Sequence, residues 1–222
     1  MADWYGLTRW WPRGLICVLA PTATAAAVVT GMLGGSVACL AAYTLMSSLV
    51  VAVVSPLIFT LLGEHPDMSF WTSILYICRQ VMPVLVLPFA LALLLERVFP
   101  AVHRRLKKLQ ILSFYLWALG LTIVTGKTVY FIVHQENVNV VEEWWMAALA
   151  LVICIFQFGL GRRIGRRYGD AVSGGQGLGQ KNTILAIWMA QVYLNPLSSI
   201  APASYVLWQN IINSYQLWKT RN

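Results

Sequence analysis

Two cations sit where an apolar chain least tolerates them. Lys181 belongs to the run Gly177-Leu178-Gly179-Gln180-Lys181-Asn182-Thr183, which immediately precedes the apolar stretch Ile184–Val192, while Arg79, with Gln80 beside it, lies well inside an apolar segment. A lysine ammonium so placed can hold an anion, exchange a proton, or cap carbonyl oxygens freed by a helix break. A guanidinium can grip a carboxylate through two parallel hydrogen bonds, or satisfy backbone carbonyls instead. For both residues the functional and the structural role stay open. The eight acidic residues fall in connections or near segment ends, so no paired carboxylates are available for acid–base work. HExxH, GxSxG, a Ser/Lys or Cys/His pair at helical spacing and an intramembrane aspartate pair are all missing, which argues against an enzyme. His65, His103 and His134 lie in or beside connections, and Cys17, Cys39, Cys78 and Cys154 stand singly in apolar runs. These cysteines read as small packing residues without a disulfide or metal role.

The elements that position such groups must be membrane helices. Of the 222 residues, 59% are hydrophobic and only 11% charged, too little polar surface to coat a water-soluble globule. Spans are expected at about 13–33, 36–63, 70–98, 109–133, 141–166, 171–193 and 197–219, each near the ~20 residues that cross a bilayer. Period-two alternation is lacking, which excludes a membrane β-barrel. The basic clusters Arg97, Arg104, Arg105, Lys107, Lys108, then Arg162, Arg163, Arg166, Arg167, then Lys219 and Arg221 alternate with connections holding Glu64, Asp67, Glu136, Glu142 and Glu143. By the positive-inside rule the C-terminus is cytoplasmic, in a cell (inner) membrane, and Arg9 and Arg13 are left on the outer face as a misfit. The net charge of +8 thus reflects topology and anionic lipid rather than nucleic acid.

The first and sixth spans are interrupted at mid-length. Pro21-Thr22-Ala23-Thr24 divides Gly14–Ala20 from Ala25–Leu33, and the glycine-rich run through Thr183 divides the sixth. Proline removes an amide donor and glycine loosens the helix, so backbone groups are freed in the membrane and need partners. Paired interruptions, each followed by a long helix, point to a secondary transporter whose half-helices converge on a midplane site. The competing reading makes the glycines ordinary helix packing or a cytoplasmic loop.

Gly179-Gln180-Lys181-Asn182-Thr183-Ile184-Leu185-Ala186 together with Tyr205-Val206-Leu207-Trp208-Gln209-Asn210-Ile211 resembles the bile acid:sodium symporter family, within the bile/arsenite/riboflavin transporter superfamily. Its ninth helix carries a Glu-x-Gly-x-Gln-Asn-Ser-Gly motif and its tenth a Trp-His/Gln-Asn. Pro21-Thr22-Ala23-Thr24-Ala25-Ala26-Ala27-Val28 is similar to the family's Pro-Gly-Gly-Thr-Ala-Ser-Asn-Val, and Gly35-Ser36-Val37-Ala38 with Thr44 is similar to its fifth helix. The resemblance covers helices four to ten of a ten-helix fold. It implies an all-α polytopic transporter with inverted repeats and two crossing broken helices, core helices at about 13–63 and 141–219, and panel helices at about 70–133. Where the family holds sodium, this chain has Ala26, Ala27, Gly177 and Lys181, and only Thr44 keeps a hydroxyl. A site lacking a carboxylate and holding an ammonium argues against sodium, leaving proton coupling through Lys181 or uncoupled uniport.

The expected function is alternating-access transport of an organic anion, bile-acid-like or a small carboxylate, without cofactor, metal or nucleic acid. Lys181, Asn182, Thr183, Gln180, Thr24, Thr44, Arg79 and Asn210 are the candidate substrate or ion ligands. The alternative is an N-terminally truncated, non-transporting membrane remnant, or a subunit whose partner supplies the first three helices.

Overall fold

In the computed structural model, described residues comprise 14–62, 69–109, 140–194, 196–221 and single positions between 112 and 134. They are all-α, and the isolated bridge between Thr22 and Lys181 is their one β-type pairing. The helices are α1 (14–19), α2 (Ala26–Met32), α3 (Val37–Leu62), α4 (Phe70–Val98), α5 (Pro100–Lys108), α6 (Val140–Arg167), α7 (Ala171–Gly179), α8 (Thr183–Tyr193) and α9 (Ile200–Arg221), with a 3₁₀ turn at Pro196–Ser199. The single positions between 112 and 134 that form helix fall within the span expected at 109–133, apart from His134 one residue beyond it. Arg9 and Arg13 lie outside the described residues.

Both interruptions are present. Short helix, break, short helix and long helix follow one another in α1–α3 and again in α7–α9. Two described helices, Val37–Leu61 and Val140–Arg167, are long and apolar enough to cross a membrane. The basic connection after 98 contains a helix, α5. Pro100 occupies its first turn, where the missing N–H is not needed and the fixed φ suits a helix start.

The broken helix α1 is the axis of the core. On one side Ile16, Leu19 and Ala20 pack with Val51, Phe59, Ile77, Leu185, Met189 and Tyr193; on the other, Cys17 packs with Met146, Ala150, Cys154, Phe158, Ile200 and Tyr205. Cys17 and Cys154 are therefore free packing thiols in buried positions. Because lipid is as apolar as leucine, tight contact rather than water exclusion holds such helices together.

Glycines provide that contact where α6 meets α7. A Cβ on Gly161 would overlap the Gly174 carbonyl, one on Gly174 would overlap the Gly161 carbonyl, and one on Gly165 would overlap the Asp170 carbonyl. Asp170 then closes the end of this hairpin. Its carboxylate accepts from the Ser173 N–H and hydroxyl, capping α7, and from the Ser36 N–H at 2.9 Å just ahead of α3. Ser173 Oγ also lies 3.2 Å from the Ser36 carbonyl. One carboxylate thus ties the start of α7, the first short helix of the second half, to the start of α3, the long helix of the first, and these bonds hold it below the usual carboxylate range.

Candidate functional site

The two breaks meet each other. The chain runs antiparallel through Thr22 and Lys181, with the Ala23 N–H donating to the Gln180 carbonyl at 2.9 Å and the Asn182 N–H to the Pro21 carbonyl at 2.7 Å. Each of these amides would bond four residues back in an unbroken helix, so the crossing replaces helical bonds with bonds between the halves.

At the centre the replacement is reciprocal. The Thr22 N–H turns to Ser47 Oγ on α3 at 3.1 Å, leaving the Val18 carbonyl free, and Lys181 Nζ donates to that carbonyl at 2.9 Å. The Lys181 N–H turns to Gln209 Oε1 on α9 at 3.0 Å, leaving the Gly177 carbonyl free, and Thr22 Oγ1 donates to it at 2.7 Å. Each break residue thus caps the carbonyl that its counterpart's amide abandoned. Thr22 and Lys181 are both buried, at 2% and 6% exposure, so these partners stand in for water that cannot reach the site freely.

The remaining loose ends are tied in the same manner. Pro21 has no N–H for the Cys17 carbonyl, which accepts from Gln157 Nε2 of α6 at 3.3 Å. The Thr183 N–H bonds the Lys181 carbonyl, and the Gly179 carbonyl accepts from the Tyr205 hydroxyl of α9 at 2.7 Å. Below the crossing, Gln176 Nε2 donates to Asn213 Oδ1 and Gln216 Oε1 at 3.0 and 3.2 Å. Tyr205, Gln209, Asn213 and Gln216 recur at helical spacing, so α9 presents a polar stripe to α7.

The site residues expected from sequence divide by their place in this arrangement. Lys181 is its centre. Gln180 contributes its carbonyl, and its side-chain Oε1 is a buried acceptor without a hydrogen-bond partner among the described residues. Asn182 caps α8 by accepting from the Leu185 N–H at 3.2 Å, and Thr183 is the buried first residue of that helix. Thr24 is exposed beside the break, as is the Val18 side chain, so one flank of the crossing is open. Thr44 is buried with its hydroxyl donating to Leu40 O at 2.9 Å within α3. Asn210 is half-buried on α9, one residue after Gln209, which makes the contact with the crossing. Arg79 is exposed on α4 and is brought to no acceptor among the described residues.

Sequence reasoning missed Thr22, Ser47 and Gln209. The available signal was one hydroxyl or carboxamide at a similar distance beyond each break, 25 residues from Thr22 and 28 from Lys181. Ala26 is fully buried, and a Cβ at Gly177 would approach the Tyr43 ring to 3.0 Å, so an aromatic ring occupies the space a larger side chain would enter there.

The family model described as the sodium bile acid symporter family matches residues 14–135. No curated protein matches the chain. The family match takes in the first break and extends through α5, whereas Lys181 lies beyond it. Because it covers more than half of the 222 residues, this chain belongs to the sodium bile acid symporter family, whose members are membrane transporters.

Proposed function

We propose that the chain carries a small or amphipathic organic anion across a cell membrane by alternating access, without sodium, with Lys181 as the fixed cation of its crossing. The observation that carries this reading is the Lys181 ammonium on the Val18 carbonyl, at the point where both helices are broken. The carbonyl end of α1 is the negative end of its dipole, which suits a cation. An ammonium tethered there supplies charge and hydrogen bonds without an ion arriving from solution.

The residues present do not fit sodium. That ion needs several oxygen ligands and favours a carboxylate. Ala26, Ala27 and Gly177 offer no side-chain oxygen, Tyr43 crowds Gly177, and the ammonium at Lys181 would repel the ion. Thr44 keeps a hydroxyl oxygen, one ligand where the ion needs several. Beside the open flank at Val18 and Thr24, the remaining Lys181 protons can face an anion, either as a permanent charge or as a group that exchanges a proton in each cycle.

The architecture supporting this mechanism has seven spanning segments, the C-terminus on the cytoplasmic side, and two repeats of inverted orientation. Its supports are the repeated order of α1–α3 and α7–α9, the antiparallel meeting of the breaks and the alternation of basic connections. Rocking of this core against α4 and the helix after α5 would expose the crossing alternately to each side.

Proteoliposome uptake of labelled taurocholate, pantoate and pyruvate, under imposed sodium or pH gradients, tests the proposal with wild type, Lys181→Ala and Lys181→Gln. Sodium-independent uptake lost in both variants supports it, and dependence on a pH gradient identifies proton exchange. Sodium-driven uptake that survives in both variants contradicts it. Absence of uptake of all three anions favours a non-transporting remnant or partner subunit.

A further inference from the structure

The short helix α5 combines two faces that the crossing and the transport reading leave unused. Phe99, Val102, Leu106 and Leu109 recur at spacings of three and four, so they share one side of the helix, and each is between 43% and 55% exposed. Arg104, Arg105 and Lys108 occupy the other side and are exposed as well. No acidic residue lies between Arg97 and Lys108 to neutralise them.

α5 is not a continuation of α4. Phe99, between them, has φ −127° and ψ 61°, well away from helical values, while its N–H still bonds Leu95 O. The chain therefore changes direction at the end of an apolar helix of 29 residues and enters an amphipathic one of 9. An apolar stripe projecting into water beside a membrane-spanning helix would be unfavourable. Laid along the boundary between headgroups and acyl chains, the same stripe enters hydrocarbon and the basic side meets phosphate.

We propose that α5 is an interfacial helix that binds the anionic phospholipid of the leaflet on its side, with Val102 and Leu106 in the acyl region and Arg104, Arg105 and Lys108 on headgroup phosphates. The partner is a phosphatidylglycerol-type lipid rather than a protein, because the apolar and basic faces meet the bilayer's two layers simultaneously. It follows that lipid fixes the segment joining α4 to the helix after it, while the crossing is held by its own internal bonds.

The test uses the full chain in vesicles of phosphatidylcholine with or without phosphatidylglycerol and needs no transport activity. In a Cys39→Ser/Cys78→Ser background, bimane is attached to Val102→Cys or, on the basic face, Ala101→Cys, and quenching by brominated lipids is measured. The Val102 label is expected to be quenched several-fold more than the Ala101 label, and more by brominated phosphatidylglycerol than by brominated phosphatidylcholine. Adding Arg104→Gln/Arg105→Gln/Lys108→Gln should abolish the preference for phosphatidylglycerol, and high salt should weaken it. Equal quenching at the two labels, or a lipid preference unchanged in the triple variant, overturns the proposal. The α5 positions and Cys39 are exposed and Cys78 is half-buried, so the variants reach no fully buried side chain.

Discussion

At the residue scale, the crossing rests on side chains that replace missing backbone partners. Thr22→Val removes the donor to the Gly177 carbonyl and should cost roughly 1–3 kcal/mol, because a buried acceptor left alone loses more than the net value of a bond. Thr22→Ser should retain most of the stability. Unfolding midpoints of the purified protein in detergent check both, and equal losses in the two variants would remove the hydroxyl from the account. Gln209→Leu should cost a similar amount by stranding the Lys181 N–H. Lys181 was legible in the sequence because an ammonium in an apolar run is conspicuous. Thr22 was not, since threonines are ordinary in membrane helices and nothing local says that its hydroxyl reaches a carbonyl 155 residues away.

At the element scale, the breaks, the long helices that follow them and most boundaries could be read from proline, glycine and apolar run length. The path of α5 could not, because Phe99 turns through its backbone dihedrals and basic side chains alone suggest a loop. The glycines of α7 carried two readings, and the structure divides them: Gly174 serves contact with α6, whereas Gly177 supplies a carbonyl at the crossing. Gly174→Val should therefore destabilise by about 1–3 kcal/mol or more, as overpacking forces α6 and α7 apart. A Gly174→Val protein that melts like wild type would contradict that close approach.

The Asp170 clasp belongs to this scale also. Its folded-state pKa is depressed, so its stabilisation is fully present above the ordinary carboxylate pKa of ~4 and is lost as pH falls through the lower folded value. Asp170→Asn should lower stability at neutral pH and flatten the acid limb of the stability–pH profile. An acid limb of unchanged slope would exclude Asp170 as a contributor.

At the scale of the whole molecule, composition and the alternation of charged connections identified a helical membrane protein, and the family match agrees. Reciprocal capping between two halves far apart in sequence could not be read in advance, because it depends on how the halves dock. In it the Lys181 ammonium and the Thr22 hydroxyl bond the two carbonyls left free at the breaks. Lys181→Gln alone should not create a sodium-dependent protein, since Ala26, Ala27 and Gly177 would still contribute no side-chain oxygen. Sodium-stimulated uptake appearing in that single variant would show that the ammonium alone excludes the ion.

The most direct measurement of the central claim is the melting temperature of the purified wild-type protein as sodium replaces choline at constant ionic strength. A ligand that binds the folded state raises stability by mass action, whatever the substrate. A crossing closed by Lys181 predicts no change across the sodium series and a lowered melting temperature for Lys181→Ala. A saturable rise with sodium in the wild type would reveal an ion site and contradict the claim that Lys181 takes the ion's place.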